Sequence, residues 1–200
     1  MSASLHRHPR FIELRDRFRE QPEWFTDWKG TFFRFQTVDF PTARDVLSGH
    51  GARQHGGRWN PPGLPTLYGS TTDITALEEC KANDRYYGIE TRSPRLLVAV
   101  DARLTRMLDL TDPALRRKLG LTLKELAAED WRKLQEARKE SLTQMLGRAV
   151  ADAGGSGLLV PSASVHRGVN VVVFPGDRGP DRLTVIEGNK LERMGVKTKA

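Results

Sequence analysis

Two apolar β-type runs lie on opposite sides of a long helical region, and this arrangement constrains the fold more than any other feature of the sequence. Leu96–Val100 is typical of a buried strand, and so is the valine-rich run Val169–Phe174. Between them, residues 113–150 carry leucines at helical spacing and predict two or three helices. Strands that enclose helices in this way favour a single α+β domain whose sheet is assembled from distant parts of the chain.

Shorter segments add elements to this plan. Residues 10–29 predict an amphipathic helix followed by an aromatic-rich link, and residues 39–60 carry Pro41 and four glycines, which predict mostly loop. Thr72 is among the polar residues that offer an N-cap to a helix over Ile74–Asn83. Short β-type runs predict the remaining elements, which are Gly30–Phe35, Leu67–Gly69, Leu104–Leu110, Leu158–Val160 and Leu183–Ile186.

The charge balance permits an anionic partner without identifying one. The 32 basic and 25 acidic residues leave a net charge of +7. Basic residues are interleaved with acidic ones, and neither zinc-finger spacing nor an RNA-binding aromatic motif is present, so direct nucleic-acid binding is disfavoured. A small anionic ligand held by a few internal arginines is left open. The five histidines do not have the spacing of a metal site, so no metal is expected.

The sequence also bears on the cellular compartment. No window approaches the roughly 18 consecutive apolar residues that a membrane span needs. The first ten residues are polar and basic, without the apolar region of a signal peptide. The single cysteine, Cys80, excludes an intrachain disulfide and fits a reducing environment. We therefore expect a cytoplasmic protein without membrane contact.

The segment Gly56–Ser70 concentrates residues suited to ligand binding. Its glycines permit close approach of the backbone, Arg58 offers a planar fork for phosphate or carboxylate, and Tyr68 offers an aromatic face with a hydroxyl group. An irregular loop with a surface arginine and a core tyrosine is the alternative interpretation. The residue types alone favour that alternative slightly.

Two later segments carry further candidates. Glu78 and Glu79 are adjacent on the predicted helix and point about 100° apart, so at most one of them faces an inward site. Cys80 lacks an assignable histidine partner, which argues against a nucleophilic role. Ser162 follows a predicted strand, but without a G-x-S-x-G motif it is better interpreted as a hydrogen-bonding or turn residue than as an acylated nucleophile.

Together these segments resemble a known family, the RES domain. The resemblance rests on Gly57-Arg58-Trp59-Asn60, Pro62-Gly63, Leu67-Tyr68, Ala76-Leu77-x-Glu79, and Pro161-Ser162 followed by Asn170. The family's arginine, tyrosine, glutamate and serine fall on Arg58, Tyr68, Glu79 and Ser162, and an early strand arginine falls on Arg34. Ser164 is the alternative position for the serine, although the preceding Pro161 favours Ser162.

The resemblance implies an organisation as well as a fold. RES domains are the toxin half of bacterial type II toxin–antitoxin pairs, and this chain is most similar to the ParT-type members. The implied fold is α+β, a single domain with an ADP-ribosyltransferase-like split β-sheet core and a helical insertion at about residues 113–150. The implied divisions are an N-terminal helical segment (1–30), the RES domain (31–187) and a basic tail (188–200). A cognate antitoxin that covers the active-site entrance is implied, with nucleic acid contacted only through it.

The implied activity is cleavage of the nicotinamide–ribose bond of NAD, which is a consumed substrate. Glu79 would stabilise the positive charge that develops on the ribose or orient the ribose hydroxyls, and Arg34 and Arg58 would hold the pyrophosphate. The implied contacts of Tyr68 and Ser162 are with nicotinamide or ribose, and Asn60 is a further candidate NAD ligand. Because no G-x-G-x-x-G follows a strand, a Rossmann-type site is excluded.

The acceptor of the ADP-ribosyl group distinguishes the remaining hypotheses. Transfer to a host-cell protein is the favoured one, because the resemblance is nearest to ParT-type members. The alternatives are NAD phosphorylase or glycohydrolase activity, which would deplete NAD. A non-enzymatic module that binds anions or nucleic acid is the alternative of another class.

Overall fold

The computed structural model describes residues 5–40, 42–89, 94–176 and 179–190. The helices in these ranges are α1 (Phe11–Glu20), α2 (Ala43–Leu47), α3 (His50–His55), α4 (Asp73–Tyr87), α5 (Pro113–Leu119), α6 (Leu123–Ala128), α7 (Trp131–Glu136) and α8 (Leu142–Asp152). The strands are β1 (Phe25–Thr37), β2 (Leu67–Ser70), β3 (Arg95–Asp109), β4 (Gly157–Pro161), β5 (Val169–Val173) and β6 (Arg182–Val185).

The strands form one sheet whose pairings complete a circuit. The longest pair is antiparallel, β1 with β3, and runs from Phe25 opposite Leu108 to Thr37 opposite Arg95. β2 is antiparallel to both β1 and β5, β5 is antiparallel to β4, and β4 returns in parallel to the end of β3. β6 adds to β3 outside the circuit. The sheet therefore brings together residues that are about 100 positions apart, such as Ser70 and Asn170.

Apolar side chains fill the two faces of this sheet separately. One cluster joins α1, α8 and the helices between β3 and β4 to the sheet through residues such as Phe18, Leu146 and Leu158. The other packs α2 against β1, β3 and β5. Because both clusters share the same strands, the helices and the sheet form one unit, and the expected single α+β domain with a helical insertion is confirmed.

Several elements are longer than the sequence predicts, including α4, which continues to Tyr87 instead of ending at Asn83. β1 begins at Phe25 instead of Gly30, because the residues expected as an aromatic link pair with β3 and bury Phe25. β3 continues without a break to Asp109 and so includes most of residues 104–110, which the sequence predicts as a separate element. The left-handed Arg106 (φ 54°) lies within β3, where its guanidinium donates to the carbonyls of Ala153 and Gly154.

The expected loop over residues 39–60 contains two short helices. Thr42 begins α2 with a reciprocal capping box, in which its hydroxyl accepts from the Asp45 amide and the Asp45 carboxylate accepts from the Thr42 amide. Gly49 (φ 63°) separates α2 from α3. The insertion likewise holds four helices, α5–α8, rather than the two or three expected.

The N-terminal segment packs into the same core as the rest of the chain. Phe11, Leu14 and Phe18 on α1 are buried, and α1 lies against α8. Most of the expected tail at 188–200 lies outside the described residues. None of the helices described here is long and apolar enough to cross a membrane.

Candidate active site

A cleft of about 1020 Å³ opens between α3 and α4. Its walls are the C-terminal end of β1, α3 with the loop that follows it, the inner side of α4, and parts of β2, β5 and α7. Small-molecule and cofactor pockets typically measure about 300–1000 Å³. The cleft is therefore large enough for an extended ligand, and Arg34, Arg58, Tyr68 and Glu79 all line it.

Glu79 presents its carboxylate to the cleft from the middle of α4. Its Oε1 atom accepts hydrogen bonds from the Ser162 hydroxyl at 2.6 Å and from the Asn170 side-chain amide at 2.8 Å. The neighbouring Glu78 points away and pairs with Lys81 at 2.8 Å. The helical offset of adjacent residues thus separates one cleft-facing glutamate from one at the surface.

Ser162 supports Glu79 from a tight turn after β4. Its hydroxyl oxygen accepts hydrogen bonds from the backbone amides of Ser164 at 3.1 Å and Val165 at 3.0 Å. The same hydroxyl donates a hydrogen bond to Glu79. Ser164 lines the cleft, whereas Ser162 lies behind the Glu79 carboxylate. Of the two candidate serines, Ser162 is the one that contacts the glutamate.

Arg34 brings a buried positive charge to the end of β1. Its terminal nitrogens donate to the Val46 carbonyl at 3.0 Å and to Gln36 at 3.4 Å, and its Nε atom is buried without a hydrogen-bond partner. Burial lowers the pKa of Arg34 to about 10. No carboxylate in the described part of the chain pairs with it, so an anion in the cleft would compensate a desolvated cation.

Arg58 lies at the turn that follows α3. Its Nη1 atom donates weakly to the Leu126 carbonyl at 3.4 Å, and no described carboxylate forms an ion pair with it. Burial lowers its pKa, the nearby Arg132 lowers it further, and Glu79 acts in the opposite direction. Arg34 and Arg58 therefore bring to the cleft positive charges that no ion pair within the described residues neutralises.

Tyr68 and Asn60 occupy different places relative to the cleft. The Tyr68 ring lines it, but its hydroxyl accepts from the Trp59 amide at 2.9 Å and donates to Asn60 Oδ1 at 2.7 Å. Burial raises the pKa of Tyr68, so the hydroxyl stays protonated and can donate. Asn60 is completely buried beneath the loop and does not line the cleft, with its amide nitrogen donating to the carbonyls of Ala52, Pro61 and Leu64.

The rim of the cleft carries a cluster that the sequence does not predict. The Arg132 guanidinium lies 4.1 Å from the centre of the Tyr86 ring and donates to the Tyr87 hydroxyl and to Asn83. The adjacent tyrosines are visible in the sequence, but their partner is 45 residues further along and belongs to the insertion. Likewise, Arg95 donates to Cys80 and Asp84 across the cleft wall.

A comparison with protein families identifies the family to which the chain belongs. The model of the RES domain matches residues 31–193, which is most of the chain and includes Arg58, Tyr68, Glu79 and Ser162. The chain belongs to the RES domain family.

Individual proteins are similar to this chain over different extents. The NAD(+) phosphorylase MbcT of Mycobacterium tuberculosis is 49% identical over 43 residues, and the same holds for MbcT of Mycobacterium bovis. This match spans 21% of the present chain and 21% of those curated relatives. The crystal structure of the M. tuberculosis MbcT–MbcA toxin–antitoxin complex superposes with a TM-score of 0.60 at 23% identity, covering 94% of this chain and 98% of the matched one, and shows that the fold is shared.

The chemistry available to this RES domain is that of charged side chains. Within the described residues no group of three or more histidines, cysteines, aspartates or glutamates is placed to hold a metal ion. The cleft presents the oriented Glu79 carboxylate, the Tyr68 ring, and Arg34 and Arg58, neither of which forms an ion pair within the described residues. Such a set suits a ligand that carries anionic groups and a centre of developing positive charge.

Proposed function

We propose that this chain is an NAD-cleaving enzyme that breaks the bond between nicotinamide and ribose. The observation that carries the proposal is the Glu79 carboxylate, which faces the cleft with one oxygen held by Ser162 and Asn170. Arg34 and Arg58 line the same cleft, have no carboxylate partner in the described ranges, and suit the two negative charges of a pyrophosphate. Membership of the RES family and the similarity to an NAD(+) phosphorylase support the same substrate.

The proposed reaction involves neither oxidation nor reduction. The bond between ribose C1′ and the nicotinamide nitrogen breaks, and its electron pair returns to the ring, which leaves as neutral nicotinamide. Positive charge develops at C1′, where the Glu79 carboxylate stabilises it in an oxocarbenium-like transition state. An acceptor oxygen then bonds to C1′. Tyr68 offers its ring face to the substrate, while Ser162 acts through Glu79.

Inorganic phosphate is the acceptor that the relatives support best. The 43-residue similarity is to an NAD(+) phosphorylase, whose name specifies phosphate as co-substrate. In that reaction a phosphate oxygen bonds to C1′ and the product is ADP-ribose phosphorylated at that carbon. Transfer to a host-cell protein is the second candidate, for which the exposed Tyr86 and Tyr87 at the cleft rim offer a contact surface.

We further propose that the chain is the toxin of a toxin–antitoxin pair that acts in the cytoplasm. The solved neighbour was crystallised as a toxin–antitoxin complex, which supports a cognate antitoxin for this chain. An antitoxin placed over the cleft would block the entry of NAD, and nucleic acid would be contacted only through it. Nicotinamide release by the free chain and by the copurified pair measures that inhibition.

The first experiment measures nicotinamide release from NAD by the purified chain. Glu79→Gln should lower the rate by about 10²-fold or more, because the neutral amide cannot stabilise developing positive charge. Glu78→Gln is the matched control, since it changes the adjacent glutamate at the surface and should leave the rate unchanged. Mass spectrometry of the products, with phosphate, without phosphate and with cell lysate, identifies the acceptor.

The outcomes separate the hypotheses. Phosphate-dependent NAD loss with a phosphorylated product supports the phosphorylase, whereas NAD loss without phosphate indicates hydrolysis. A labelled protein band in lysate supports ADP-ribosyl transfer. No nicotinamide release by the wild-type chain, or equal release by wild type and Glu79→Gln, contradicts the proposed enzyme. Salt-dependent nucleic-acid binding without NAD turnover would favour a binding module instead.

A further inference from the structure

The Glu79 carboxylate is fixed through only one of its two oxygens. Ser162 and Asn170 both donate to Oε1. In the described part of the structure Oε2 has no hydrogen-bond donor. Two donors on one oxygen restrict rotation of the carboxylate and leave the other oxygen available to a ligand in the cleft.

The orientation of the Asn170 amide is what makes it a donor to Glu79. A side-chain amide can present either its oxygen or its nitrogen, and only the network around it decides which. A carboxylate accepts hydrogen bonds, so Asn170 must present its nitrogen to Glu79 and its oxygen to the opposite side. On that side the Ser70 hydroxyl donates to Asn170 Oδ1 at 2.7 Å.

The sheet register places Ser70 where it can perform this task. Ser70 on β2 lies directly opposite Asn170 on β5 in an antiparallel pair. Directly opposed residues project to the same face, which brings the two side chains together. Ser70 is only 2% exposed, so water does not readily replace its hydroxyl as a donor to Asn170.

We infer that Ser70 and Asn170 are positioning residues for Glu79, with Ser70 acting through Asn170. Ser70 holds the Asn170 amide in one orientation, Asn170 holds Oε1, and Oε2 is thereby the carboxylate oxygen that meets the ribose. The inference rests on the proposed NAD cleavage and adds how the reactive carboxylate is oriented. Neither positioning residue needs to touch the substrate for this role.

Steady-state kinetics of nicotinamide release test the inference. Ser70→Ala frees the Asn170 amide to turn, so kcat should fall about 10-fold while the KM for NAD changes less than about twofold. Asn170→Ala should lower kcat by at least as much. Asn170→Asp is isosteric but puts a second carboxylate against Oε1, and we expect a kcat loss of about 10²-fold from it. A merely structural role would lower the melting temperature without this split between kcat and KM.

The double variant decides whether the two residues act in series. If Ser70 acts through Asn170, then Ser70→Ala has no further effect on kcat in the Asn170→Ala background, and the two losses are not additive. Ser156→Ala is the matched control, because Ser156 is equally buried (1% exposed) but does not line the cleft, and it should keep the wild-type kcat.

The remaining outcomes each contradict one part of the inference about Ser70 and Asn170. If the loss of kcat in the double variant equals the product of the two single losses, Ser70 does not act through Asn170. If folded Asn170→Asp keeps the wild-type kcat, Asn170 does not position Glu79. Neither result contradicts the proposed NAD cleavage, provided that the wild type is active and Glu79→Gln is not. An inactive wild type removes the proposed function and the inference with it.

Discussion

At the scale of single residues, the polar side chains of residues 56–70 differ in whether they line the cleft or support the backbone beneath it. Arg58 and the ring of Tyr68 face the cleft, whereas Asn60 uses its amide to connect four polar groups beneath it. The sequence places all three in one motif and suggests that Asn60 also meets NAD. The structure places Asn60 among the buried residues that shape the loop.

Asn60→Ala should therefore reduce stability more than substrate binding. The change removes the acceptor of the buried Tyr68 hydroxyl proton and one donor from each of three carbonyls, which keep their other donors. A buried polar group left unsatisfied costs about 1–3 kcal/mol, so we expect the free energy of unfolding in urea to fall by about that amount. A variant of wild-type stability whose KM for NAD is raised would instead identify Asn60 as a substrate ligand.

At the scale of elements, α8 supports the cleft from below. Its Gln144 donates to the Gly57 carbonyl at 3.1 Å, and Gly147 lies directly against the Trp59 carbonyl. A Cβ at Gly147 would overlap that carbonyl oxygen. The absence of a side chain thus lets a helix of the insertion approach the loop that carries Arg58.

Gly147→Ala should destabilise the protein although alanine is the better helix former. We expect the free energy of unfolding to fall by about 1–3 kcal/mol, because the clash with the Trp59 backbone exceeds the gain in helix propensity. Gly51→Ala is the matched control in α3, where a Cβ meets no atom within 4 Å and stability should rise by about 0.5–1 kcal/mol. Equal effects of the two changes in urea unfolding would contradict this packing.

The elements also show which parts of the structure a sequence can predict. Local signals are sufficient for the start of α4, whose Thr72 cap is visible in the chain. Local signals do not predict the continuity of β3, because the left-handed Arg106 within it is stabilised by carbonyls about 47 residues away. In the site, family resemblance identifies Arg58 and Glu79, but the pairing of Ser70 with Asn170 depends on a register between strands 100 residues apart.

At the scale of the whole molecule, the N-terminal helix and the family domain share one core. The family match begins at residue 31, yet Phe11, Leu14 and Phe18 are buried against α8 and the sheet. The division at residue 30 that the sequence suggests is still a prediction about domain organisation. The packing argues that α1 contributes to the stability of the entire unit.

Leu14→Ala tests that contribution. Leu14 is fully buried, and truncation of such a side chain costs about 2–5 kcal/mol in the free energy of unfolding. Ile12→Ala is the control on the same helix, because Ile12 is 50% exposed and its loss should change stability by less than about 0.5 kcal/mol. A single unfolding transition that shifts as a whole in Leu14→Ala is expected, and loss of α1 alone would show that the helix is a separate unit.

The spacing of the Glu79 partners along the chain has a consequence during protein synthesis. Ser162 and Asn170 lie 83 and 91 positions after Glu79, on the far side of the helical insertion. At about 5–20 residues per second a ribosome needs roughly 5–20 s to produce them after Glu79 has been made. A chain whose translation stops within the insertion lacks both donors and β5, so its carboxylate is not held. Synthesis must therefore pass residue 170 before Glu79 can acquire both of its donors.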